Sequence, residues 1–162
     1  MENSKESTIR IKDEIDTLKL YLELEAMRFS NKFDYGILVD PIIDINYDEL
    51  PSMLIQPYIE NAIIHGLLPK ADKGKLLIHL TKTDNFIICT IEDNGIGRLK
   101  SKELNKNRIS QHKSLGMSIT KKRLSILNQI NNTSNNLSEE IIDVVDATGS
   151  PAGTRVIIHI PI

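Results

Sequence analysis

The sequence predicts an α/β (α+β) two-layer sandwich, with one mixed, mainly antiparallel sheet covered on one face by helices. Two observations predict it. β-branched runs come in pairs, KLLIHLT with NFIICTIED and EEIIDVV with TRVIIHI, which is the pattern of strands paired mainly by hairpins. Stretches with apolar residues at three- and four-residue spacing are set before and between those pairs.

The elements follow in chain order. Between Thr8 and Asn31, Ile11, Ile15, Leu18 and Leu22 form one stripe, with Lys12, Asp13, Glu14, Lys19 and Glu23 on other faces, so the spacing predicts an amphipathic helix. Phe33 to Ile45 is interrupted by Gly36 and Pro41 and reads as one or two strands with a turn. After a turn cluster from Asn46 to Pro51, the run MLIQPYIENAIIHGLL predicts a largely buried helix ending near Gly66, which Pro57 either starts or kinks. The first strand pair follows. From Asn94 to Ser114 the chain is polar and short of apolar anchors, which predicts a mobile loop of about 20 residues, a length uncommon without a function. Met117, Ile119, Leu124, Leu127 and Ile130 restore helical spacing, and the Asn-rich segment 131–136 ends it before the second strand pair. The expected division is a linker helix over residues 1–32 and one compact domain over residues 33–162.

Composition removes several function classes. With 20 basic and 22 acidic residues the net charge is -2, so no positive field invites nucleic acid or an anionic membrane, and an anionic ligand must be held locally. The single cysteine, Cys89, lies in the apolar run FIICTI, which fits a core residue of a reduced protein and excludes an internal disulfide. No apolar stretch approaches the roughly 20 residues of a membrane helix, and MENSKESTIR lacks a signal-peptide core, so this piece is expected to be soluble.

Four segments carry chemistry. In the long apolar helix, Glu60, Asn61 and His65 are polar, and Asn61 and His65 share a face. Burying them unpaired costs roughly 1 to 3 kcal/mol each, so they require partners. A magnesium ion and a nucleotide phosphate would serve, because an amide oxygen is a hard ligand and a carboxylate can orient an attacking group. A polar surface stripe is the plainer alternative. In EDNGIGR, Asp93 ends a strand and Gly95 and Gly97 let backbone amides approach a ligand. The carboxylate can accept from an exocyclic amine, whereas a tight turn needs no ligand; the oxygen spacing of a calcium loop is missing. In KSLGMSITKKRL, Gly116 closes the polar loop and a helix starts at once, a seat for phosphate beside Lys113, or a helix capped by Ser114. In GTRVIIHI, the Thr154 hydroxyl opens a strand.

The order of these segments, polar helix, strand with DxGxG, loop-Gly-helix, then GT-strand, resembles the GHKL ATPase superfamily. LIQPYIENAIIHG looks like the N box of LytS-like sensor histidine kinases, whose usual form is LQPxxENAxxHG, and YLELEAMRF is similar to their segment before the ATPase domain. The resemblance implies a Bergerat fold that uses ATP and Mg2+. It implies Glu60 as the residue that polarises the acceptor nucleophile, Asn61 as the magnesium ligand, and His65 as a phosphate contact. Asp93 would hold the adenine amino group in a pocket shaped by Gly95 and Gly97 and backed by Thr154. Lys113, Ser114, Leu115, Gly116 and Met117 would close over the triphosphate, although many relatives have two glycines where this chain has SLGM. No phosphoacceptor motif occurs: His65, His79, His112 and His159 lie in other contexts, and His79 and His159 read as strand residues. The resemblance therefore implies a catalytic domain acting on a histidine in a separate dimerisation domain. A response regulator would follow it, and the parent would be a membrane-anchored homodimer with this part in the cytoplasm. Another GHKL enzyme, such as a serine kinase, and a nucleotide-sensing module without catalysis are the rival readings. The missing GxxxxGK[ST] pattern argues against a P-loop ATPase.

Overall fold

A computed structural model describes residues 7–106, 112–130 and 135–162, with the backbone alone at 112–119 and 130. In chain order the elements are β1 (Thr8–Arg10), α1 (Ile11–Arg28), β2 (Phe33–Val39), β3 (Glu49–Pro51), α2 (Gln56–Asn61) with a π-helical continuation (Ala62–Leu67), β4 (Gly74–Lys82), β5 (Phe86–Asp93), α3 (Arg98–Asn105), α4 (His112–Ile130), β6 (Ser138–Val145) and β7 (Pro151–Pro161). The expected two-layer architecture is observed. A five-stranded sheet has the order β2-β4-β5-β7-β6, in which only the β2/β4 pair is parallel.

Strict alternation along β5 shows why one face is covered. Ile87, Cys89, Ile91 and Asp93 point inward and are buried, while Phe86, Ile88, Thr90 and Glu92 lie on the other face and are only partly covered. Leu76, Ile78 and Leu80 of β4 and Ile158 and Ile160 of β7 extend the same inward surface. Cys89 sits within it as a small hydrophobe, and burial pushes its thiol up to about 12.

The helical layer is built from α1, α2 and α4. Ile11, Ile15, Leu18, Leu22 and Ala26 of α1 join the same core cluster as the sheet, so the predicted apolar stripe is the one buried. Asp13 and Glu14 in the first turn and Arg28 in the last complement the helix dipole. A small second sheet fixes the start of α1: Ile9 of β1 pairs with Leu50 of β3. Arg123 of α4 then donates to the backbone carbonyls of Ser52 and Met53, tying the third helix to the loop after β3.

Pro57 stands in the first turn of α2, where its missing N–H costs nothing, so it starts the helix rather than kinking it. The helix then loosens into the π segment, with the Leu68 amide donating to the Ile63 carbonyl at 2.9 Å. The polar stretch from Asn94 to Ser114 departs from expectation, because residues 98–105 form α3 instead of part of a mobile loop. Few apolar contacts hold this helix, and Leu99 and Leu104 are exposed. A bidentate ion pair from Arg98 to Asp143 on β6 anchors it, at 2.7 and 2.8 Å, which local sequence does not reveal. The helix after the loop also begins earlier than expected, at His112, so Gly116 lies inside α4 and not at its start.

Candidate functional site

A cavity of about 590 Å3 opens between α2 with its π continuation, α3, and the β5/β7/β6 side of the sheet. Its floor is apolar, formed by Ile91, Ile141 and Val156, and its walls carry Asn61, His65, Asp93, Gly97 and Thr154. Such an apolar pocket with a few convergent polar groups is the usual form of a small-molecule site.

Asp93 is the central group. It ends β5 on the inward side, is only 5% exposed, and pairs in register with Thr154 of β7. Its carboxylate accepts from the Gly95 amide at 2.9 Å. Burial raises its pKa to about 6, against the lowering effect of the amide hydrogen bonds from Gly95 and Thr154 and of the nearby Lys70 charge. A ligand amine donating to this carboxylate would favour its ionised form.

Close backbone approach makes this corner possible. A Cβ on Gly95 would lie 2.3 Å from the Gly66 carbonyl carbon, so the loop rests directly on the helix backbone. The Ile96 amide confirms the contact by donating to the Gly66 carbonyl at 3.1 Å. A Cβ on Gly66 would itself meet the Asp93 carboxylate at 2.7 Å. Lys70 donates to the Asn94 carbonyl, and the Asn94 side chain accepts from the Lys75 amide, fixing the loop that follows Asp93.

Asn61, His65, Asp93, Gly97 and Thr154 are thus brought to one cavity, with Gly95 packed behind its wall. Glu60 is not among the lining residues; it is exposed on α2, close enough to Tyr21 of α1 to help raise that phenol to about 12, after burial and Glu25. Lys113, Ser114, Leu115, Gly116 and Met117 fall on the first turns of α4, and their side chains lie outside the described residues.

Sequence reasoning missed the contribution of α3. Ser101, Lys102, Asn105 and Lys106 line the cavity at helical spacing, a signal present in RLKSKELNK but masked there because its two apolar residues, Leu99 and Leu104, do not form a core-facing stripe. Tyr58 was also missed. It lines the cavity and donates from its hydroxyl to the Glu139 carboxylate of β6, joining α2 to the sheet edge. Among the described residues no cluster of three or more His, Cys, Asp or Glu exists that could hold a metal unaided. A magnesium ion carried by phosphate oxygens and taking one further oxygen from Asn61 fits this donor set, since Mg2+ ordinarily uses few protein ligands.

No family model matches the chain. The catalytic domain of the histidine kinase ThkA superimposes with a TM-score of 0.62 at 14% identity, covering 96% of this chain and 94% of that one. The mycobacterial sensor histidine kinase MprB gives the same TM-score, 0.62, at 18% identity and 96% and 97% coverage. The fold is therefore that of histidine-kinase catalytic domains. In sequence, the sensor protein LytS of Oceanobacillus iheyensis is 40% identical over 93 residues, which are 57% of this chain and 15% of LytS. The sensor histidine kinase YpdA of Escherichia coli is 33% identical over 108 residues, 62% of this chain and 19% of YpdA. Its sequence relatives are thus LytS-like sensor histidine kinases, and the chain spans less than a fifth of the length of these two.

Proposed function

We propose that the chain is the ATP-binding catalytic domain of a two-component sensor histidine kinase, acting on a histidine that lies in a separate dimerisation domain. The observation that carries this reading is the buried Asp93 carboxylate lining an apolar cavity whose wall also presents Asn61 and His65. Asp93 accepts a hydrogen bond from the adenine amine, a donor that guanine lacks at that position. Thr154, the register partner of Asp93, backs the adenine, Gly97 lets the backbone approach the ring, and His65 contacts phosphate. Lys113 to Met117 close over the triphosphate from the start of α4. Asn61 would hold Mg2+ together with the phosphates, and the ion would supply charge neutralisation at the leaving group.

Glu60 stands outside the cavity, one residue before Asn61, on the side from which a protein acceptor arrives. Its carboxylate accepts the hydrogen bond of the acceptor imidazole N–H and raises electron density on the attacking nitrogen. That nitrogen bonds to the γ-phosphorus, the bond to the bridging oxygen breaks, and ADP leaves. A response regulator aspartate then receives the phosphoryl group. Residues 1–32 act as the linker helix and residues 33–162 as the nucleotide domain of a membrane-anchored homodimer with this part in the cytoplasm. Because Ile11, Leu18 and Leu22 share the domain's core, movement of the linker is transmitted to the N-box helix.

Glu60→Gln tests the assignment. Nucleotide affinity stays at the wild-type value, while phosphotransfer to a supplied histidine acceptor domain falls by roughly a hundredfold or more. Equal transfer by variant and wild type would remove Glu60 from the chemistry.

A further inference from the structure

The charges on the cavity wall are unevenly distributed. Asp93 is the one carboxylate among its described lining residues, whereas Arg98 and Lys102 of α3 and Lys106 at its C-cap bring three cations. Arg98 is already committed, with both of its bonds going to Asp143. Those two bonds use both oxygens of Asp143, the acid that Lys102 also faces. Lys102 and Lys106, four residues apart on one face of the helix, form no ion pair with any described residue. Two like charges at that spacing repel and weaken the helix that carries them. Their position near the helix C-terminus offsets part of that cost through the helix dipole, but a dipole role does not require them to face a cavity.

We propose that Lys102 and Lys106 hold the polyphosphate of the nucleotide and make the site select ATP and ADP over AMP and adenosine. This rests on the nucleotide-binding reading above and adds to it the residues that measure phosphate number. Asp93 recognises the base, and the ammonium groups of Lys102 and Lys106, which line the same cavity, supply point charges for anionic oxygens. Because both lysines are exposed, salt screens the attraction. ATP affinity therefore falls with ionic strength, and adenosine affinity does not.

The experiment is calorimetric titration of the chain with adenosine, AMP, ADP and a non-hydrolysable ATP analogue. Wild type, Lys102→Ala/Lys106→Ala and Lys102→Arg/Lys106→Arg are compared at low and high salt. The alanine pair is expected to lose roughly tenfold per lysine in affinity for ATP and ADP, to keep adenosine affinity, and to lose the salt dependence. The arginine pair is expected to keep both the preference and the salt dependence. Unchanged ATP affinity in the alanine pair would overturn the proposal, as would an equal loss for adenosine and ATP. Either result leaves the nucleotide reading intact so long as Asp93→Asn still abolishes adenine recognition. Failure of wild type to bind any adenine nucleotide would overturn both.

Discussion

Gly153→Ala is expected to destabilise the protein by about 3 to 5 kcal/mol and to abolish ligand binding at the cavity. Gly153 holds φ at +133°, and a Cβ there would fall 1.9 Å from the Asp93 carbonyl oxygen and 3.0 Å from the Asn94 Cα. Both obstacles are backbone atoms of the neighbouring segment, so no rotamer change relieves them. The β5/β7 ladder must separate at the Asp93 and Thr154 pair, which is where the site is built. A loss of that size is a large fraction of the 5 to 15 kcal/mol that stabilises an ordinary domain. Gly149→Ala is the control, because Gly149 also has positive φ, at +80°, but nothing lies within 4 Å of its added Cβ. Thermal unfolding should place the Gly153 variant roughly 10 °C below wild type, with the Gly149 variant much nearer to it. Equal, small shifts for the two variants would contradict the packing described at this corner.

Asp93→Asn is expected to act in opposite directions on affinity and on stability. The folded protein holds this carboxyl at a pKa of about 6 because it is buried, whereas the unfolded chain holds it near 3.8. A raised carboxyl pKa gives stability that is present in full below the unfolded value and is lost as pH rises through the folded one. At pH 7 the empty protein carries a buried ionised group, at a cost of about 2 kcal/mol relative to pH 4, where the unfolded carboxyl is already partly ionised. The asparagine variant escapes that cost. Its stability relative to wild type should therefore rise by about that amount between pH 4 and pH 7, measured by urea unfolding. Nucleotide affinity should move the other way, falling on the order of a hundredfold at pH 7.5, since the adenine amine loses its charged acceptor. In wild type, affinity should strengthen as pH rises through about 6. An affinity independent of pH from 5 to 8 would contradict ionised Asp93 as the acceptor.

Features set by local periodicity were legible in the sequence. The Ile11 to Leu22 stripe, the two hairpins, the burial of Cys89 and the placement of Asp93 at a strand end all follow from spacings within one element. The same holds for Asn61 and His65 sharing a cavity wall, since four-residue spacing survives the change to a wider helical turn. What escaped depends on partners distant in the chain. The helix α3 leaves both of its leucines exposed and is fixed by Asp143, 45 residues away. The three-residue strands β1 and β3 exist only because they meet each other. Gly66 reads as a helix end, yet its use is to leave room for the Asp93 carboxylate. The Tyr58 hydroxyl reaches Glu139 across 81 positions, a pairing no local pattern encodes.

The most direct measurement of the central claim is titration of the chain with a non-hydrolysable ATP analogue and, separately, with a GTP analogue, each with and without Mg2+. The account predicts that the adenine nucleotide binds, more tightly with magnesium, and that the guanine nucleotide binds far more weakly because it presents a carbonyl where Asp93 needs a donor. Equal affinity for the two nucleotides, or binding of neither, would contradict it.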